Sequence, residues 1–97
     1  MSIYLSGRIT NCNDYKKRFA DAEQEVYDGV CSDANVINPA RIELVDKNEW
    51  SDYMRCDISL LLGCDAIFML RGWWRSRGAR LEHKIAKALG MNVIYQR

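Results

Sequence analysis

Hydrophobic residues along this chain follow two spacings that alternate from one end to the other. Short apolar runs at residues 2–6, 35–38, 66–70 and 91–95 predict four strands. The segments between them place apolar residues three or four positions apart, which predicts three helices. These helices are expected over residues 15–29, over residues 52–62, and from residue 76 to a stop at Gly90. The predicted order is therefore β-α-β-α-β-α-β.

Strict alternation of strands and helices with short connections predicts a parallel sheet covered by helices on both faces. We therefore expect an α/β fold, a flavodoxin/Rossmann-like three-layer sandwich with a four-stranded parallel sheet. Either Asn48 or Ser51 is expected to cap the second helix. The stripes predicted to face the core are Tyr15, Phe19, Ala22 and Val26 on the first helix, and Leu81, Ile85, Ala88 and Leu89 on the third.

Length and composition predict a single small domain over residues 1–97. The net charge of +1 creates no overall field that would recruit nucleic acid or an acidic membrane. A secretory leader and an apolar run of about 18 residues, the length of a membrane span, are both missing, so we expect a cytoplasmic protein without a membrane partner. Neither a metal nor another cofactor is expected, because the cysteines are irregularly spaced and are interpreted as reduced thiols: Cys12, Cys31, Cys56 and Cys64.

The segment of residues 71–83 links the third predicted strand to the third helix. Ser76 and Gly78 lie where that helix begins, so free backbone N–H groups and the positive end of the dipole are available to an anion. Glu82 is expected in the first helical turn, where complementing the helix dipole is an equally good explanation for a carboxylate. The segment adds positive charge through Arg71, Arg75, Arg77 and Arg80.

Asp57 is a charged residue on a helix face that has to pack. It lies four residues after Tyr53, and three and four residues before Leu60 and Leu61, so it projects from the apolar face. A carboxylate in that position costs on the order of several kcal/mol unless it is paired or the face opens onto a site. An ion pair with Arg55 or with an arginine of residues 71–80 is the structural alternative.

Asp57 and Glu82 are expected on the helices that follow the second and third strands, and both could face the crevice where Ser6, Gly7 and Arg8 also arrive. Two carboxylates beside an anion-binding helix start suit chemistry at the anomeric carbon of a sugar. One carboxylate attacks or stabilises the oxocarbenium-like centre, and the other acts on sugar hydroxyls or on the leaving base. The helix dipole is expected to keep Glu82 ionised, as a nucleophile requires.

Three motifs carry a family resemblance that covers essentially the whole chain. They are Ile3-Tyr4-Leu5-Ser6-Gly7, Met54-Arg55-Cys56-Asp57 with Cys64-Asp65-Ala66, and Ser76-Arg77-Gly78-Ala79-Arg80-Leu81-Glu82. With these motifs the chain resembles the nucleoside 2-deoxyribosyltransferase-like superfamily, most closely its small phage and bacterial members of unassigned function. It is also similar to the 2′-deoxynucleoside 5′-monophosphate N-glycosidases.

The resemblance implies hydrolysis or transfer at the N-glycosidic bond of a nucleoside or nucleotide, without a cofactor. Glu82 would attack C1′ of the 2-deoxyribosyl group, and Asp57 would contact the sugar or assist the base. Tyr4 matches the tyrosine of the family's N-terminal Tyr-x-x-Gly and is counted with the catalytic residues. The resemblance also implies a homodimer or higher homo-oligomer. The residues expected to bind the substrate and its phosphate are Ser6, Gly7, Arg8, Ser76 and Gly78.

Other interpretations remain open at this point. Trp73 and Trp74 could stack on a base or cover the crevice as a lid, or they could form an oligomer interface. Together with the arginines they could instead form a nucleic-acid patch, which the near-neutral net charge and the acidic residues between them disfavour. His83 is expected to face outward rather than into the site. The rival function is a non-catalytic nucleotide binder, for example a phage accessory protein that sequesters a nucleotide, and a purely structural oligomer is a third possibility.

Overall fold

The computed structural model describes residues 1–42 and 49–97 and confirms the predicted order of strands and helices. Short 3-10 helices at Pro39–Arg41 and Trp73–Arg75 complete the described elements. None of the described helices combines the length and the apolarity that crossing a membrane requires. The main elements are β1 (Ser2–Ser6), α1 (Tyr15–Gly29), β2 (Asn35–Ile37), α2 (Trp50–Leu62), β3 (Ala66–Met69), α3 (Arg77–Ala88) and β4 (Asn92–Tyr95).

The four strands form one parallel sheet in the order β2-β1-β3-β4. In register, Tyr4 of β1 lies between Ile37 of β2 and Ile67 of β3. The chain moves to one side from β1 to β2 and to the other side from β3 to β4, so the direction of winding changes between β1 and β3. In open parallel sheets a ligand crevice forms at the carboxyl ends of the two strands that flank such a point.

Alternate residues of the central strands face opposite sides of the sheet. On one side, Ile3 and Phe68 pack against Phe19 and Val26 of α1. The residues on the other side, which include Tyr4, Ile67 and Met69, pack against α2 and α3 through Leu61, Ala79 and Ala86. The expected three-layer α/β/α arrangement is therefore confirmed, and the predicted core stripe of α1 is buried at Phe19, Ala22 and Val26 with Tyr15 partly buried.

The predicted core stripe of α3 is wrong. Leu81 and Leu89 are 37% and 59% exposed, Ala88 is also exposed, and Ile85 is only partly buried. A second stripe of helical spacing, which includes Gly78, Ala79 and Ala86, overlaps the predicted one. Because these residues are small, α3 can approach the sheet and α2 closely. A Cβ atom at Gly78 would lie 2.9 Å from the Met54 sulfur of α2. The face that packs consists of Gly78, Ala79, Glu82 and Ala86.

The start of α2 also differs from the prediction. The helix begins at Trp50, two residues earlier than expected, and Glu49 occupies the N-cap position without a capping side-chain hydrogen bond. Ser51 lies inside the helix and does not cap it, and Asn48 lies outside the described residues. Gly63 ends the helix as predicted. The earlier start adds Trp50 to the face of α2 that carries Asp57, because seven residues are close to two helical turns.

Close contact between the ends of β1 and β3 explains why a glycine follows β1. The Leu70 amide donates to the Ser6 carbonyl at 2.8 Å, which continues the strand pairing beyond the two strands. A Cβ atom at Gly7 would lie 2.9 Å from the Leu70 Cβ. A side chain at position 7 therefore requires the two strand ends to separate, at the edge where the crevice is expected.

Gly7→Ala is expected to lower the free energy of unfolding by about 1–3 kcal/mol, the usual range for forcing an extra methyl group into a packed site. Urea denaturation followed by circular dichroism would measure the change. Gly29→Ala is the matched control, because no atom lies within 4 Å of its added Cβ and its φ is not positive. That control should be neutral or slightly stabilising. Equal effects of the two substitutions would contradict the close-contact explanation.

Candidate active site

A cavity of about 660 Å³ opens at the carboxyl end of β1, beside the segment that follows β2. Its volume lies within the range of small-molecule sites. The two helices that cover the sheet on this side, α2 and α3, form one wall, and α1 with the segment after β2 forms the other. Its described lining combines carboxylates, hydroxyl groups and aromatic rings, among them Tyr4, Gly7, Tyr15, Trp50, Tyr53, Asp57, Ser76, Gly78 and Glu82. The two acidic side chains therefore share one cavity, as predicted.

The Glu82 carboxylate is held by two hydroxyl groups of β1. Tyr4 donates to Oε2 at 2.5 Å, and Ser6 donates to Oε1 at 2.7 Å. Tyr4 and Ser6 are two residues apart on a strand, so both side chains project from the same face of the sheet. Glu82 is 4% exposed. One carboxylate oxygen is thus fixed by each hydroxyl, and the side chain cannot turn without breaking a buried hydrogen bond.

The pKa of Glu82 is raised to about 7, chiefly because burial disfavours the charged carboxylate. The hydrogen bonds from Tyr4 and Ser6 oppose this rise, and the nearby Asp57 adds to it. The expectation that the helix dipole keeps Glu82 ionised is not met. Since α3 begins at Arg77, Glu82 is in the second turn rather than the first, and the dipole effect falls off beyond the first turn. Burial also raises the pKa of Tyr4 well above its usual range, which keeps its hydroxyl a donor.

Asp57 is 8% exposed, and its Oδ1 is buried without a hydrogen-bond partner among the described residues. Burial raises the pKa of this carboxyl to about 6. The alternative of an ion pair with Arg55 or an arginine of residues 71–80 is not found in the described part of the chain, where the ion pairs lie on α1 and between α1 and Arg41. A buried polar atom without a partner costs about 1–3 kcal/mol, which a ligand in the cavity could offset.

Ser76 and Gly78 both line the cavity, and both also have a structural role. The Ser76 hydroxyl accepts a hydrogen bond from the Ala79 amide at 3.1 Å and so caps α3. Because Gly78 has no side chain, the Met54 sulfur can pack against its backbone. The Arg80 amide donates to the Ser76 carbonyl at 3.0 Å, so the first-turn amides that the helix itself does not satisfy are those of Arg77 and Gly78.

The predicted cationic residues lie away from the cavity. The Arg8 Nε donates to the Thr10 carbonyl at 3.3 Å, and Arg8 does not line the cavity. Arg77 stacks on the outer side of the site, with its guanidinium carbon 4.1 Å from the centroid of the Trp50 ring. Among the described lining residues there is no lysine or arginine. Arginine side chains were expected to make the cavity favourable for anions, but none of them contacts its described wall. That wall carries the acidic groups of Asp57 and Glu82 instead.

The tryptophan pair is not at the cavity either. Trp73 lies on the ring of His83, with centroids 4.2 Å apart, and Trp74 meets Trp73 edge to face. His83 stays out of the site as expected, although it packs on Trp73 and Tyr95 rather than facing solvent freely. The tryptophan that lines the cavity is Trp50, which the sequence analysis did not single out. Its spacing of seven residues from Asp57 is the signal that could have found it.

The fold and the site together define an open-sheet α/β protein with a carboxylate-bearing cavity at the carboxyl end of its central strand β1. The chain belongs to the family described as Domain of unknown function (DUF4406), whose family model matches residues 1–95. No curated protein matches the chain.

Asp57→Asn is expected to stabilise the protein above neutral pH. The folded-state pKa of about 6 exceeds the ordinary value of 3.8, so the folded protein binds this proton more tightly than the unfolded chain. Stability associated with Asp57 is therefore present at low pH and is lost as the pH rises through about 6. The asparagine variant avoids this loss, which amounts to about 3 kcal/mol for a shift of two pKa units.

Urea titrations of wild type and Asp57→Asn between about pH 4 and pH 8 would measure this difference. Asp52→Asn, in the first turn of the same helix, controls for the loss of a carboxylate in general. A difference in the free energy of unfolding that stays constant across this pH range would show that burial does not raise the pKa of Asp57.

Tyr4→Phe is expected to raise the pKa of Glu82 further, because the Tyr4 hydroxyl stabilises the ionised carboxylate. Carbon-13 NMR of glutamate side-chain carboxyls would follow the titration directly and requires no activity. Tyr27→Phe is the control, since its hydroxyl bonds Glu23 on α1, away from the cavity. A lower or unchanged pKa of Glu82 in Tyr4→Phe would mean that this hydrogen bond does not favour the carboxylate.

Proposed function

We propose that this protein cleaves the N-glycosidic bond of a 2-deoxyribosyl nucleoside or nucleotide, with Glu82 as the nucleophile. The observation that carries the proposal is the orientation of Glu82 by the Tyr4 and Ser6 hydroxyls on the cavity that it shares with Asp57. Retaining glycosidic chemistry uses two carboxyl groups, and two line this cavity: Glu82, held by two hydroxyls, and Asp57, whose Oδ1 has no hydrogen-bond partner among the described residues. The sequence resemblance to nucleoside 2-deoxyribosyltransferase-like proteins supports the same reaction.

In the proposed reaction, ionised Glu82 attacks C1′ of the deoxyribosyl group. A bond forms between C1′ and a Glu82 oxygen, while the bond from C1′ to the base nitrogen breaks and its electron pair leaves with the base. Asp57, which lines the same cavity, donates a proton to the leaving base. Its pKa of about 6 leaves only a minority of the molecules with Asp57 protonated at neutral pH, so we expect this step to be faster below pH 7 as far as Asp57 is concerned. Water then hydrolyses the glycosyl ester, with Asp57 accepting the proton, or a second base takes the sugar in a transfer reaction.

The cavity walls suggest how the substrate is oriented. Trp50 and Tyr53 of α2 offer aromatic surface on which a base can stack, and Tyr15 lies across the cavity on α1. The first turn of α3, at Ser76 and Gly78, is the proposed position of a 5′-hydroxyl or a 5′-phosphate. Since no described lining residue is cationic, we expect phosphate to add little to binding. We place the reaction in the cytoplasm, and a homo-oligomer remains part of the proposal through the resemblance.

A second candidate is a nucleotide binder without catalysis. A pKa of about 7 leaves a large share of Glu82 protonated at neutral pH, and a protonated carboxyl is a poor nucleophile but a good hydrogen-bond donor to a ligand. The two candidates differ in whether a base is released.

Glu82→Gln is expected to abolish base release, because an amide oxygen cannot form the glycosyl ester, with a loss on the order of a thousandfold or more. Wild type and variant would be incubated with deoxynucleosides and their 5′-monophosphates, and free base would be separated by liquid chromatography. Glu25→Gln, an exposed glutamate on α1, is the matched control. If wild type releases no base while a nucleoside or nucleotide raises its melting temperature, the binder is the correct function.

A further inference from the structure

The last quarter of the chain has an unbalanced charge. Residues 71–97 contain seven lysines and arginines and a single acidic residue, Glu82. Glu82 is buried and faces the cavity, so it does not neutralise the outer surface. The near-neutral total charge arises because the other twelve acidic residues lie earlier in the chain. No exposed acidic side chain therefore separates the arginines and lysines of residues 71–97, contrary to the expectation that acidic residues between them disfavour a nucleic-acid partner.

The outer side of α3 carries a line of four cations: Arg77, Arg80, Lys84 and Lys87. Their spacing of three, four and three residues places them on one side of the helix, and all four are exposed. Ten residues separate the first from the last, so the line extends over about 15 Å. Within residues 1–42 and 49–97, none of the four forms an ion pair. We call this line the basic stripe.

An aromatic cluster lies beside the basic stripe. It consists of Trp73, Trp74, His83 and Tyr95, held together by ring contacts and by a 2.8 Å contact between the His83 Nε2 and the Tyr95 hydroxyl. The Trp74 side chain is 57% exposed although it is one of the largest apolar groups of the protein. The function proposed for the cavity does not use any residue of this cluster.

The basic stripe and the aromatic cluster form one continuous surface. His83, on which the Trp73 ring lies, is three residues after Arg80 and four residues before Lys87, so these three side chains are neighbours on α3. Trp73 and Trp74 belong to the 3-10 helix that leads directly into α3. The aromatic cluster, with Trp74 and Tyr95 exposed and Trp73 and His83 partly buried, therefore adjoins the basic stripe on one side of the molecule.

We propose that this surface binds single-stranded nucleic acid. Cations along a line attract a chain of phosphates, and exposed rings stack on unpaired bases, which is the combination that recognises single strands. A membrane-binding helix would separate an apolar face from its basic face. Leu81, Ala88 and Leu89 are also exposed on α3 and lie beside the basic stripe. The exposed rings of Trp74 and Tyr95 lie outside α3, where they add stacking surface that an amphipathic helix by itself does not have, and binding to anionic vesicles is measured beside binding to oligonucleotides.

Arg80, Lys84 and Lys87 lie on the side of α3 away from Glu82 and the cavity. Arg77 packs on the Trp50 ring of the cavity wall. None of the four lines the described cavity, and the inference is independent of the proposed catalysis.

Fluorescence anisotropy with end-labelled oligothymidylate and oligouridylate, each about 20 nucleotides long, tests the proposal across salt concentrations of about 50 to 300 mM. We expect binding that weakens steeply with salt. The triple variant Arg80→Gln/Lys84→Gln/Lys87→Gln should reduce the slope of log K against log salt by about 2, because each lost phosphate contact contributes about 0.7 for a single strand. The control Lys16→Gln/Lys17→Gln/Arg18→Gln makes the same charge change on α1, across the sheet, and should keep the wild-type slope.

Trp74→Ala separates stacking from charge. We expect it to weaken binding roughly fivefold or more with an unchanged salt slope, since one stacked base contributes at least about 1 kcal/mol. All substituted residues are exposed, so circular dichroism and melting temperature should match wild type. No binding at about 50 mM salt would overturn the proposal, as would equal slopes for the two triple variants. Binding to vesicles of anionic lipid but not to oligonucleotides, or burial of Trp74 in a dimer detected by light scattering and tryptophan quenching, would also overturn it.

Discussion

The hydrogen bonds between Glu82 and the two hydroxyls of β1 are the constraint on which the rest of this structure depends. They join residues 76 and 78 positions apart in the sequence, and they fix α3 against the central strand at the point where the sheet changes its winding direction. A glutamate on the packed face of a helix would otherwise destabilise the core. The hydroxyls of Tyr4 and Ser6 offset that cost and at the same time orient the carboxylate towards the cavity.

The site retains a destabilising element that a purely structural core would avoid. Asp57 keeps a buried oxygen without a described partner, and burial raises the pKa of both Asp57 and Glu82. Buried polar groups are usually satisfied, and this exception among the described residues lies in the wall of a cavity of ligand size. The glycines nearby allow this arrangement, because Gly7 and Gly78 let the strand ends and the two helices approach closely.

One helix separates two different surfaces. Its inner face carries the single acidic residue of the last quarter of the chain into the cavity, and the charged residues on its exposed side are all cations. This division explains how a protein with a net charge of +1 can present a strongly basic surface. Net charge averages over the molecule, whereas a partner experiences the potential of the face that it contacts. For a member of the DUF4406 family, α3 is therefore the element that both proposed functions use.

The sequence by itself determined the order of the elements, the parallel sheet and the unusual burial of Asp57. Each of these follows from periodicity, which is a local property of the chain. Only the tertiary structure decided which stripe of α3 is buried, because Leu81 and Leu89 fit helical spacing as well as Ala79 and Ala86 do. The choice depends on how closely α2 and the sheet approach α3. The same holds for the pKa of Glu82, the distance of the arginines from the cavity and the presence of Trp50 in its wall, since these depend on neighbours that are distant in sequence.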